Sequence, residues 1–124
     1  MIIEGGIDIS SLIKARNKFA EFSKHLTTEQ EKAGAVQAFE YSYELAWKTL
    51  KRILNERGVN VNSPRAAFRE AGLNRLIVSV EDWFIFLAMR NLSSHTYNEE
   101  NLEKILSVFE LYLKSLNELI DAIS

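Results

Sequence analysis

Arg90, His95 and Tyr97 fall within eight residues, directly after the apolar run Trp83-Phe84-Ile85-Phe86-Leu87-Ala88-Met89. The chain has only two histidines and no cysteine, so a histidine here calls for an explanation. A guanidinium stays charged at every accessible pH, an imidazole titrates near neutrality, and a phenol donates, accepts or is modified. Together they can bind a phosphate ester, cleave it, or carry one. In that chemistry Arg90 holds a phosphoryl oxygen, because its planar donors fit the geometry. His95 acts as general base or acid on a ribose 2′-hydroxyl. Asn91 adds a donor and Tyr97 a further hydrogen bond. A second reading of the same residues is structural. Arg90 then pairs with Glu40 or Glu44, and His95 caps the helix that carries Arg90.

Helices must position these groups. Ile9, Leu12, Ala15, Phe19, Phe22 and Leu26 recur at three and four residues and predict a first amphipathic helix. Thr28 with Glu31 three residues on is a capping box for a second. Its stripe runs Val36, Phe39, Tyr43, Ala46, Leu50, Ile53, and Gly58 suits the position past its end. That helix holds about 28 residues, or roughly 42 Å. Ser63-Pro64 opens a short third helix, predicted to stop at Gly72. Ser79 with Asp82 starts a fourth. A last helix begins near Asn98 with the stripe Leu102, Ile105, Phe109, Tyr112, Leu116, Leu119, Ile123. Only Leu76 to Val80 leaves any doubt about strand. The fold expected is all-α: an antiparallel up-and-down four-helix bundle with an additional short helix.

The fourth helix is apolar all round, so it should be covered on every side. A small bundle cannot cover one member completely. Part of that surface is therefore expected to meet a second subunit, giving a homodimer. Five residues of continuous helix turn through about 500°, so Arg90 and His95 share a face only if the helix ends near Leu92 to Ser94, or across a dimer axis. Ser93 and Ser94 permit that ending.

Composition sets outer bounds. At 124 residues, 47% hydrophobic and 26% charged, residues 1–124 read as one helical domain with a real core. Without cysteine there is no disulfide framework and no thiolate zinc site. The two histidines and scattered carboxylates give no metal spacing, and no Gly-rich phosphate loop is present; no metal or cofactor is expected. No signal peptide is visible and the apolar run is too short to span a bilayer, so a cytoplasmic protein is expected. Net charge is −2, but residues 48–75 carry seven basic and two acidic side chains, and residues 76–124 three and eight. The basic segment is either a solvated face or an attractor of phosphates. His25 sits at the end of the first helix as a structural or solvent-exposed residue. Trp47 and Trp83 read as core or interface. Glu40 and Glu44, four apart, either pair with Lys48 or orient Arg90.

Arg90, four intervening residues, His95, one residue and Tyr97 resemble the Arg-x4-His-x-Tyr signature of HEPN proteins. The wider chain resembles one branch, the nucleotidyltransferase substrate-binding proteins. Phe39-Glu40, Glu44-Leu45-Ala46-Trp47-Lys48-Thr49-Leu50, Ser63-Pro64-Arg65, Trp83, Arg90-Asn91 and Ser94-His95-Thr96-Tyr97 carry that likeness in order. The resemblance implies a HEPN-like bundle that dimerises and pairs with a minimal nucleotidyltransferase. On that resemblance the bundle is expected to help the enzyme bind a nucleotide or a nucleotidyl-acceptor substrate. The resemblance also implies an alternative, since some HEPN relatives are metal-independent endoribonuclease toxins of toxin–antitoxin pairs. In those the arginine and histidine are catalytic, here Arg90 and His95, on an RNA target. Their partner silences them by AMP addition to the motif tyrosine, here Tyr97.

Overall fold

The computed structural model describes all residues 1–124 and contains six α-helices. These are α1 (Ser10–Phe22), α2 (Glu29–Glu56), α3 (Pro64–Leu73), α4 (Val80–Leu92), α5 (Glu99–Leu106) and α6 (Phe109–Ile123). Single 3-10 turns lie at Glu4–Gly6 and Ser93–His95. One isolated antiparallel bridge joins Ile2 to Asp8, and no strand forms. α1, α2, α4 and α6 close a ring of packed neighbours, and α3 fills the corner between α2 and α4. This is the expected all-helical bundle with an additional short helix.

Three helix starts follow the capping chemistry in the sequence. Thr28 and Glu31 form the full capping box, with Glu31 N–H donating to Thr28 Oγ1 at 3.1 Å and Thr28 N–H to Glu31 Oε1 at 2.9 Å. Ser63 accepts from Ala66 N–H, ahead of Pro64 at the first helical position. Ser79 accepts from Asp82 N–H. α2 spans 28 residues, and Gly58 just beyond it takes φ 81°.

Three features differ from the sequence reading, each for a local reason. α1 ends at Phe22 rather than near Leu26, because Lys24 and His25 N–H tighten to carbonyls three residues back. α3 passes through Gly72 to Leu73, and the reversal falls at Arg75, φ 58°. Gly72 is needed for space instead. A Cβ there would collide with Val80 Cγ2 of α4. The last helix breaks into α5 and α6 at Ser107-Val108. Ser107 Oγ donates to Lys104 C=O at 2.6 Å, and Val108 N–H bonds three residues back to Ile105. Ile105 and Phe109 stay buried on either side of the break. As expected for a helix apolar all round in a small bundle, the single chain covers only one stripe of α4. Trp83, Phe86 and Met89 are buried, while Ile85 is 41% exposed and Ala88 also faces outward.

The core is a lattice of rings. Phe19 meets Phe109 and Tyr112 edge-on, with centroids 4.9 and 5.0 Å away. Trp83 meets Phe86 edge-on at 5.2 Å. Ser42 Oγ lies 2.7 Å from the Tyr112 hydroxyl, so this buried phenol is satisfied. Such packing fixes α2 against α4, and with them the carboxylates and the arginine that face each other.

Candidate functional site

Glu40 and Glu44 sit one turn apart on α2, and Arg90 lies opposite them in the last turn of α4. Arg90 Nη1 donates to Glu40 Oε2 at 3.1 Å, and Arg90 Nε lies 3.6 Å from Glu44 Oε1. Ser93, just past α4, closes the cluster. Its Oγ is 2.5 Å from Glu40 Oε2, 2.6 Å from Arg90 C=O and 3.2 Å from Arg90 Nη1. Glu44 is fixed from its other side, where Trp47 Nε1 donates to Oε2 at 3.0 Å and Lys48 Nζ stands 3.9 Å away. Thus Glu44 meets both Lys48 and Arg90, and the pairing reading of Arg90 holds for both carboxylates.

One edge of the guanidinium is left over. Arg90 Nη2 makes no hydrogen bond within the chain and keeps solvent contact, whereas Nε is buried without a partner in bonding range. A guanidinium held on Nη1 and beside Nε presents Nη2 in a fixed direction, which suits an anionic oxygen. The Tyr43 hydroxyl is also buried without a partner. Burial pushes this phenol far above its ordinary range, and the Glu44 charge adds to the rise while Arg90 opposes it. Tyr112 is raised further by burial, against the Ser42 hydrogen bond.

α4 does end at Leu92, as convergence of the motif requires. A 3-10 turn then carries the chain to Thr96, and Asn98 caps α5 by accepting from Glu100 and Asn101 N–H. Asn101 Nδ2 donates to His95 C=O at 3.1 Å, tying the turn down by its backbone. The His95 and Tyr97 rings remain outside, edge to face with centroids 6.0 Å apart. Tyr97 is 87% exposed. It borders a groove of about 660 Å³ whose walls include Lys32, Glu40, Ser93 and Thr96. Asn91 is exposed on α4.

The single chain therefore unites Arg90 with Glu40, Glu44 and Ser93, and His95 with Tyr97. No hydrogen bond or ion pair joins Arg90 to His95. The His95 side chain does not cap α4 either; Ser93 does, through its N–H and Oγ to Arg90 C=O. The sequence marks Ser93 only as a place where the helix can end; its partnership with Arg90 has a signal too, since a hydroxyl three residues after a helix-end arginine shares its face. His25 lies 3.5 Å from Glu21 on α1, away from this site. No three His, Asp or Glu side chains are placed to hold a metal ion. Chemically, the arrangement offers one free guanidinium edge, one exposed imidazole and one exposed phenol.

Comparison with known proteins agrees with the helical fold. Residues 7–124 match the family model described as nucleotidyltransferase substrate binding protein like. A probable ribonuclease HepT of Haemophilus influenzae is 35% identical over 86 residues, 65% of this chain. The match spans only 59% of that curated relative's length. A crystal structure from Thermus thermophilus superposes with TM-score 0.84 at 26% identity, covering 89% of this chain and 96% of that one. A second structure, from Haemophilus influenzae, is described as revealing the fold of a substrate-binding domain of a nucleotidyltransferase. It gives TM-score 0.82 at 25% identity, covering 92% and 97%.

Proposed function

The chain belongs to the nucleotidyltransferase substrate-binding protein-like family, and on that premise we propose that it is the substrate-binding subunit of a minimal nucleotidyltransferase. In this reading residues 1–124 act as one helical domain, which dimerises and helps bind a nucleotide or nucleotidyl-acceptor substrate in the cytoplasm. Arg90 Nη2 takes a phosphoryl oxygen, with Asn91, His95 and Tyr97 completing the binding surface. The observation that carries the reading is the clamp on Arg90. Glu40, Ser93 and Glu44 hold the guanidinium with one edge facing solvent. The exposed stripe of Ile85 and Ala88 on α4 supports a homodimer, since an apolar helix face left open in one chain is readily covered by a second. No helix is long and apolar enough to cross a membrane. Co-expression with a small nucleotidyltransferase encoded beside this chain tests the reading. A complex that loses substrate affinity on Arg90→Ala supports it, and the absence of any complex refutes it.

A second reading is favoured by the 35% identity to a probable ribonuclease. Here the chain is a metal-independent endoribonuclease toxin, with Arg90 and His95 as the catalytic pair and Tyr97 silenced by AMP addition. Arg90 and His95 do not touch within one chain, so this reading needs a second copy to complete the site. Exposure of Tyr97 suits modification by a partner enzyme. The two readings separate on RNA: purified protein that leaves RNA intact, and is harmless on overexpression, excludes the ribonuclease.

A further inference from the structure

We propose that Arg65, Arg69 and Phe84 form a subsite for the phosphodiester backbone of single-stranded nucleic acid, distinct from the Arg90 cluster. Arg65 and Arg69 lie one turn apart on α3 and both are exposed. Both guanidinium groups gather on one ring, with Arg65 Cζ 4.5 Å and Arg69 Cζ 5.7 Å from the Phe84 centroid. The chain's Lys and Arg ion pairs use Lys24, Lys32, Lys48, Arg57 and Arg90; Arg65 and Arg69 have none. Like charges at this spacing repel. The ring face attracts each cation but neutralises neither. Their convergence therefore leaves an uncompensated positive site that an anion would relieve.

The surroundings point to a polyanion rather than a single small anion. α3 packs on α2, whose C-terminal half contributes Lys48, Lys51 and Arg52 to the same basic segment. Of these only Lys48 approaches a carboxylate, at 3.9 Å. Basic residues thus lie on both of the packed helices, and a polyanion can reach more of them than a small anion can. Guanidinium planes seated on an aromatic ring also suit nucleic acid specifically: the fork meets phosphate, and the flat face can stack on an unpaired base. Phe84 and Arg90 lie six residues apart on α4, so the subsite is about 9 Å along the axis from Arg90 and on a different face. It requires neither RNA cleavage nor a transferase partner, and does not rest on either reading above.

Fluorescence anisotropy with a labelled 20-nucleotide oligouridylate, using the full chain across a salt series, tests the subsite. Arg65→Gln/Arg69→Gln should weaken binding about tenfold at moderate salt. It should also flatten the dependence of log K on log salt by about 1.4, the value for two lost single-strand phosphate contacts. Phe84→Leu should weaken binding while leaving the slope nearly unchanged. Unchanged affinity and slope in the double variant, with its helical circular dichroism intact, would overturn the proposal. So would an equal loss from Lys14→Gln/Lys18→Gln on α1, which removes the same charge elsewhere. Polyglutamate binding as tightly as the oligonucleotide, and lost in the same variant, would make the patch a surface for acidic proteins and also overturn it. Arg90→Gln measured in parallel reports on the Arg90 site separately.

Discussion

Ser93 Oγ stands 2.5 Å from Glu40 Oε2, the same oxygen that accepts from Arg90 Nη1 at 3.1 Å. The hydroxyl is therefore a wedge that joins the end of α4 to the middle of α2. Its one hydrogen is shared between Glu40 Oε2 and the Arg90 carbonyl, so holding the arginine and capping the helix draw on the same bond. Ser93→Ala should loosen both functions and cost about 1 kcal/mol, the usual worth of one hydrogen bond. Glu40→Gln keeps the shape but removes the charge opposite Arg90, and should cost about 1–2 kcal/mol at this partly exposed site. Urea unfolding of the two variants and their double checks this. Additive losses would show that the two residues do not act as a unit.

The contrasting environments of Tyr43 and Tyr112 give opposite expectations for the same substitution. The Tyr43 hydroxyl is buried without a partner, so Tyr43→Phe should be neutral or stabilising by up to about 1 kcal/mol. The Tyr112 hydroxyl shares a 2.7 Å hydrogen bond with Ser42, so Tyr112→Phe should cost about 1 kcal/mol. Thermal melts of both variants decide it; the reverse order would mean that Tyr43 has a bonding partner.

Gly72 makes a steric prediction. Gly72→Ala should destabilise the fold by about 1–3 kcal/mol, because the new methyl meets Val80 Cγ2. Val80→Ala in the same chain should recover part of that loss. If the double variant is no better than Gly72→Ala alone, the close approach of α3 to α4 is not the cause.

Acid should act through carboxylates near the surface. The Ser10 hydroxyl and N–H hold Asp8 down at about 2. The Arg57 hydrogen bond lowers Glu4, and the Thr28 N–H lowers Glu31. Each folded pKa lies below its unfolded value. The stabilisation is therefore fully present above the unfolded carboxylate range, and is lost as pH falls through the folded values. Melting temperature should be flat down to about pH 5 and then decline toward pH 2. Asp8→Asn should make the lower part of that decline shallower. Alkali works with the opposite sign. Tyr43 and Tyr112 are raised, so stability holds below the ordinary phenol range and declines above it, as only the unfolded phenols ionise.

Local signals in the sequence were enough to place the starts of α2, α3 and α4. Thr28 with Glu31, Ser63 with Pro64, and Ser79 with Asp82 satisfy backbone N–H groups within a few residues, so no distant partner is needed to recognise them. The helix ends were harder. Gly72 looked like a terminator, but its smallness serves a neighbouring helix. The break at Ser107-Val108 keeps the apolar spacing from Ile105 to Phe109, so periodicity passes through it unmarked. The site divided in the same way. Glu40 and Glu44 were recognisable partners for Arg90, because they share one face of α2. The five-residue spacing sets Arg90 and His95 on different faces of a continuous helix, but whether they converge beyond the end of α4 depends on how the 3-10 turn packs.

In the function proposed above, this chain serves a small nucleotidyltransferase through a surface centred on Arg90. Isothermal titration of the purified chain with a nucleotidyltransferase encoded beside it, followed by nucleotide titrated into the mixture, tests that most directly. The expected result is a stoichiometric complex, and a nucleotide affinity that falls at least tenfold with Arg90→Ala while the complex survives. No complex, or a complex whose nucleotide affinity ignores Arg90, would contradict it.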